Sequence, residues 1–414
     1  MSFLTGILFL NSCVKDPTIP VLNTGQVTDI TINSAKISGE VTDDGGAEVT
    51  ARGFCWGIST KPTMQDYFIP SGTGPGEFSS TIADLQPNTP YFIRAFAQNR
   101  AGIAYGNEVT FTTGIAAPQV TTSPVSGITA SSAVCGGTIS YNGGAEITGR
   151  GVCWSTSPDP DLEDSFTTSY TGAATFISTL TNLLPGTKYY VRAYVKNSAW
   201  TIYGEPKVFN SKLADIEGNL YSVINIGTQV WMAENLRTTK FNDNTTILNV
   251  AANEDWIVLT TPAYCWFSND SQYKVTFGAL YNWYTVGTGK LCPDGWHVPT
   301  DAEYMTLESA LAMSSDQLEL WNWRGTDQGT QIKSTSGWIE GGNGTNSSGF
   351  NGLSGGYRFG ATGAFNALGM ITYWWSSEHN VDQAVYRRVD YDNGAIYRSV
   401  TSKRGGKYIR CIKN

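Results

Sequence analysis

Groups able to do acid–base or nucleophilic chemistry are few in this chain. It has two histidines, His297 and His379, so an imidazole proton relay or a histidine-rich zinc site is poorly supplied. Its seven cysteines stand at 13, 55, 135, 153, 265, 292 and 411, and no two form a Cys-x-x-Cys pair, which removes a zinc ribbon and a thioredoxin-type motif. Carboxylates can be paired, Glu303 with Glu308 or Glu378 with Asp382, but neither pair has the supporting motif that glycosidase chemistry would need. No catalytic residue is assigned, and the chain reads as a non-enzyme. His297, between Trp296 and Val298, reads as a hydrogen-bonded core residue. Aromatic surface, by contrast, is plentiful: 12 % of residues are aromatic, and 13 are tryptophan. In Tyr373-Trp374-Trp375-Ser376-Ser377, strand alternation sends one indole inward and the other outward. The outward one is a candidate platform for a sugar or a peptide.

These residues must be carried by more than one domain, since the chain has 414 residues. With 41 % hydrophobic and 15 % charged residues it is not a disordered chain. Its 45 glycines and many aromatics predict short strands and turns. A net charge of −8 opposes phosphate backbones, so no nucleic-acid partner is expected. No run approaches ~20 apolar residues, so no membrane-spanning helix is expected.

Two segments repeat without a gap. Gly45-Gly46-Ala47-Glu48 returns as Gly143-Gly144-Ala145-Glu146, Arg52-Gly53-Phe54-Cys55-Trp56 as Arg150-Gly151-Val152-Cys153-Trp154, and Leu85 to Tyr91 as Leu183 to Tyr189, each 98 positions later. A repeat of that length is a whole domain. Tyr189, Val191, Ala193 and Val195 alternate with Tyr190, Arg192, Tyr194 and Lys196, as Tyr91 to Gln98 do in the first copy. The Leu-x-Pro-x-Thr-x-Tyr phrase resembles the tyrosine corner of a β-sandwich, and both repeats resemble fibronectin type III domains. Such sandwiches usually act as spacers. Cys135 takes the place of Ile37, a core position, so that Cys135 and Cys153 are either bridged across the second sandwich or free; sequence leaves this open.

At the N-terminus, Leu8-Phe9-Leu10-Asn11-Ser12-Cys13 resembles the tail of a bacterial lipoprotein signal peptide. The resemblance implies acylation of Cys13 and attachment to the outer membrane through that lipid anchor, with the chain exposed at the cell surface.

Composition shifts after Lys212, and ten tryptophans lie beyond it. Thr300-Asp301-Ala302-Glu303 is a capping box, followed by Tyr304, Leu307 and Leu311 at helical spacing. A shorter helix is expected around Gly278 to Trp283. Beyond Gly325 the chain is rich in Gly, Ser, Thr and Asn. The motifs Gly227 to Leu236, Gly278 to Tyr284, Leu291 to Pro299, Gly355-Gly356-Tyr357-Arg358, Tyr373 to Ser377 and Ile409 to Ile412 together resemble the Fibrobacter succinogenes major paralogous domain. That resemblance implies an α+β, C-type-lectin-like fold, also seen in formylglycine-generating enzymes. It also implies a disulfide between Cys292 and Cys411, and it draws Tyr357 and Arg358 into the candidate ligand-binding set with Trp374 and Trp375. The calcium-site triplets of sugar-binding lectins are missing. No metal ligand is assigned, although a structural Ca2+ in the oxygen-rich loop Asp390 to Gly394 is conceivable; that loop is more simply a turn.

The expected organisation is a multidomain chain: a signal segment (1–13), a linker (14–22), two all-β fibronectin type III-like sandwiches (23–114 and 115–212) and an α+β C-type-lectin-like domain (213–414). The expected role is recognition or adhesion, with a glycan or protein as the ligand of the last domain. A fimbria-associated structural subunit and an enzyme acting on extracellular polysaccharide are the alternatives.

Overall fold

The computed structural model describes residues 15–170 and 174–414. The acylation site read at Cys13 lies outside the described residues. Among them, no helix is long and apolar enough to cross a membrane.

Each repeat folds as two facing antiparallel sheets. In the first, Ala35–Asp43 lies between Val21–Thr28 and Gly76–Ile82, while Ala51–Gly57 and Pro90–Asn99 centre a five-stranded sheet. The second repeats this with Ala133–Tyr141, Ile147–Ser155 and Lys188–Asn197 as its central strands. Alternation along Ala35–Asp43 buries Ala35, Ile37 and Val41, and the two inner faces meet to form the core. The 98-residue offset holds atom by atom. The Ala95 amide donates to Thr24 Oγ1 at 2.9 Å and the Ala193 amide to Thr122 Oγ1 at 3.0 Å. Both tyrosine corners form: the Gln86 amide donates to Tyr91 Oη and the Leu184 amide to Tyr189 Oη, each at 3.0 Å. The first sandwich begins earlier than the expected linker allows, because the Thr18 amide already donates to the Gly45 carbonyl.

Cys135 and Cys153 are free thiols. Each donates to a backbone carbonyl, Ser123 O at 3.4 Å and Pro160 O at 3.2 Å. Burial pushes the Cys55 thiol up to about 11 and Cys153 up to about 12, so neither supplies a thiolate near neutrality.

The corner loops also join the domains. Asn88, in the first corner, donates to Gly144 O of the second sandwich at 2.8 Å. Its equivalent, Gly186, accepts from Lys413 Nζ at 3.1 Å. A β-carbon on Gly186 would lie 2.5 Å from the Trp296 ring, and its φ is +58°. The loop therefore needs glycine where it seats an indole of the next domain.

That C-terminal domain is mostly strand and loop. A six-stranded sheet runs in the order Asn322–Arg324, Ile396–Ser402, Gln383–Asp390, Ile371–His379, Gly355–Arg358, Phe365–Leu368. A four-stranded sheet brings Ile412–Lys413 beside Gln229–Met232 and Trp296–His297. Its longest helix, Asp301–Ala310, has the predicted capping box: the Glu303 amide donates to Thr300 Oγ1 and the Thr300 amide to Glu303 Oε2. The helix expected over Gly278 to Trp283 is not there. Leu280–Tyr281 is a strand, with short helices at Tyr273–Phe277 and Trp283–Val286 on either side. Gly278, at φ +81°, ends the first of these, and Asn282 caps the second by accepting from the Thr285 amide. Cys292 and Cys411 are bridged across 119 positions.

Candidate functional site

The Ile371–His379 strand lies inside the six-stranded sheet, and both of its faces are covered at Trp374 and Trp375. This overturns the expectation of one outward indole. Trp374 and Trp375 are each 0 % exposed. Trp374 packs edge-on against Phe350 and donates to Asn235 Oδ1 at 2.9 Å; Trp375, on the opposite face, donates to the Tyr281 carbonyl at 2.9 Å. Neither ring face is open to a ligand. Arg358 is likewise fully buried. Its guanidinium donates to the carbonyls of Val250, Ala251, Ala252 and Gly363 and to Asn253, clamped between the Trp256 and Phe365 rings. With its donors spent on the backbone, it is a structural cation.

Other expectations resolve through similar contacts. His297 is only part-buried, and its ring nitrogens meet Asn414 Oδ1 at 2.6 Å and Glu303 Oε1 at 2.8 Å. Glu308 is fully buried and accepts from Arg324 and Arg387 at 2.7 Å, while Asp301 holds Arg387 and Arg398. This network ties the Asp301–Ala310 helix to the sheet and takes up the Glu308 carboxylate, while Glu303 accepts from Thr300 in the capping box. Glu378 and Asp382 are both exposed. In the loop Asp390 to Gly394, the carbonyls of Asp390, Tyr391 and Asn393 accept from Lys333 Nζ at 2.9, 3.4 and 3.1 Å. A lysine ammonium thus sits among the oxygens considered for calcium. Cys265 is buried beside Arg358, and burial pushes its thiol up to about 12.

Of the four candidate ligand-binding residues, only Tyr357 keeps partial exposure, and it leads to a feature that no single segment reveals. On the Trp375 face, one aromatic ring from each of five adjacent strands joins a continuous row. Tyr357 and Tyr373 have centroids 4.7 Å apart, Tyr373 and Tyr386 5.2 Å, Tyr386 and Tyr397 6.3 Å, and Tyr397 and Trp323 5.0 Å. Pairing register sets the row: Trp323 lies opposite Tyr397, Tyr397 opposite Arg388, and Arg388 opposite Tyr373. Tyr373 and Tyr386 are buried, whereas Tyr357 and Tyr397 are half-buried and Trp323 is 37 % exposed. The row opens to solvent at both ends.

Two cations lie in it. Arg388 stacks over Trp323, Tyr373 and Tyr397 at 5.4–5.6 Å, and Asp390 holds its guanidinium and keeps it charged. Lys407, only 4 % exposed, points its ammonium at Tyr373 (4.0 Å), Tyr386 (4.6 Å), Trp375 (4.9 Å) and Tyr357 (5.7 Å). Burial, reinforced by the like charge of Arg388, pushes this amine down to about 7; the electron-rich ring faces pull the other way. Chemically, the face offers apolar rings for stacking and a cation for a negative group. A trace of it is visible in the sequence, where Tyr386 and Arg388 alternate with inward residues and Trp323 flanks the glycine-rich stretch.

Among solved structures, the chain resembles three fibronectin domains (FN1–FN3) of chicken CNTN1 at 16 % identity, covering 52 % of this chain and 74 % of that one with a TM-score of 0.29. It also resembles the sensor domain of the anti-sigma factor RsgI4 of Pseudobacteroides cellulosolvens at 23 % identity, covering 23 % and 94 % with a TM-score of 0.19. No curated protein matches the chain. Residues 224–413 match the family model described as the Fibrobacter succinogenes major domain, the family that the motifs of the last segment resemble.

Proposed function

We propose that this is a bacterial surface lipoprotein, anchored through Cys13, with a C-terminal domain of C-type-lectin-like fold that binds glycan on its aromatic face. The two sandwiches act as fibronectin type III-like spacers that carry the domain clear of the membrane. The observation behind the reading is the row from Trp323 to Tyr357, five rings on five strands, solvent-reached at both ends. Pyranose rings present C–H faces that stack on such rings. A peptide is favoured less, because the backbone groups of interior strands are already paired across the sheet and offer a peptide no ladder to join.

The test is a glycan array probed with the full chain and with Trp323→Ala and Tyr397→Ala. Wild-type binding that drops roughly tenfold in either variant supports the reading. Binding that is unchanged in both variants, or a wild-type chain that binds no glycan but captures protein ligands, refutes it.

A further inference from the structure

Lys407 is a buried cation without a counter-ion. Its ammonium makes no hydrogen bond or ion pair to any described residue and meets only ring faces. The charged group acting on it is Arg388, a second cation, whose own partner is Asp390. Lys407 Nζ is nonetheless not among the described polar atoms cut off from both a partner and solvent. Tyr357, the most distant of its four rings, is half-buried and stands at that end of the row. Elsewhere in this domain buried cations are matched: Arg324 and Arg387 by Glu308, Arg398 by Asp301, and Lys333 by three carbonyls. Lys407 departs from that pattern beneath the buried rings Tyr373 and Tyr386, one ring in from the row's open end at Tyr357.

We infer that the sugar bound on the aromatic face is a uronate, whose ring stacks at the Tyr357 end of the row and whose carboxylate accepts from Lys407 Nζ. This rests on the glycan-binding reading above and goes beyond it by naming the ligand class. A uronate fits because its carboxylate is borne directly on the pyranose ring, so one residue can present a stacking face and an anion together. A charge-assisted hydrogen bond in a desolvated setting is worth more than a neutral one, and the uncharged sugar would leave the ammonium unmatched.

The test uses the full chain and short oligogalacturonates, oligomannuronates and oligoguluronates, each beside its methyl ester, which keeps the ring and removes the charge. Calorimetry on wild type should show at least one acid form binding roughly tenfold or more tighter than its ester. Lys407→Met should erase that preference, while Tyr357→Ala weakens acid and ester alike. In wild type with 13C-labelled lysine, the Lys407 Cε resonance should move on adding the acid and stay put with the ester, a readout that does not depend on the variant folding. Neutral glycans binding as well as uronates, or a preference that survives Lys407→Met, overturns the inference and leaves the glycan reading standing. A chain that binds no glycan of either kind overturns both.

Discussion

Replacing Lys407 with methionine should make the protein more stable at slightly acidic pH, by an amount that fades as pH rises. The side chain is 4 % exposed and meets four rings, and methionine keeps its unbranched shape while removing the charge. The folded amine sits at about 7 against 10.5 in the unfolded chain. Between those values the unfolded state binds more protons, so folding stability rises with pH across that window, and below 7 the full cost of burying the charge applies. That cost is about 5 kcal/mol at 1.36 kcal/mol per tenfold change in proton affinity. Cation–π attraction from the four rings offsets part of it, leaving about 2–4 kcal/mol as the expected gain for Lys407→Met at pH 6. By pH 9.5 most of the difference between variant and wild type should be gone. Urea unfolding followed by tryptophan fluorescence reads mainly the C-terminal domain, which holds ten of the 13 tryptophans, and avoids treating a three-domain chain as one transition. A Lys407→Met chain that is less stable at pH 6, or a difference that does not change with pH, would refute the account of Lys407 as an unmatched buried charge.

Glu308→Gln should destabilise the C-terminal domain by about 3–5 kcal/mol in the same assay, because Arg324 and Arg387 would lose the carboxylate they share. Reducing the Cys292–Cys411 bridge, which closes 119 positions, should cost about 4–5 kcal/mol in the chain-entropy model; non-reduced peptide mapping should first recover the linked pair. Gly186→Val should unseat the last domain from the second sandwich, since the new side chain would meet Trp296. Small-angle scattering should then report a longer, more variable particle while each domain keeps its own unfolding midpoint. An unchanged scattering profile would show that the corner does not hold the joint.

The parts legible in the sequence were those fixed by local rules. The 98-residue repeat, the corner tyrosines Tyr91 and Tyr189, and the capping box at Thr300 each depend on a few neighbouring residues. Period-two alternation also placed Trp374 and Trp375 on opposite faces correctly. What it could not say is that both faces would be covered, because that depends on which segments pack above and below the strand. Arg358 misled for a similar reason, since its partners lie about a hundred positions away, at Val250 to Asn253. The aromatic row is set by lateral strand order: Trp323 and Tyr397 are far apart in the chain and adjacent in the sheet. The expected helix at Gly278 to Trp283 failed because Leu280–Tyr281 is recruited into a small sheet with Ala263–Cys265.

Lys413, in the last strand of the C-terminal domain, bonds back to Gly186 of the second sandwich, and the strand Leu213–Ala214 leaves that same sandwich only a few residues after its last strand. The C-terminal unit therefore enters and exits on one side, like a plug with both prongs in a single socket. A unit wired this way can be lifted out, or swapped for another of its kind, without stretching the polypeptide across it.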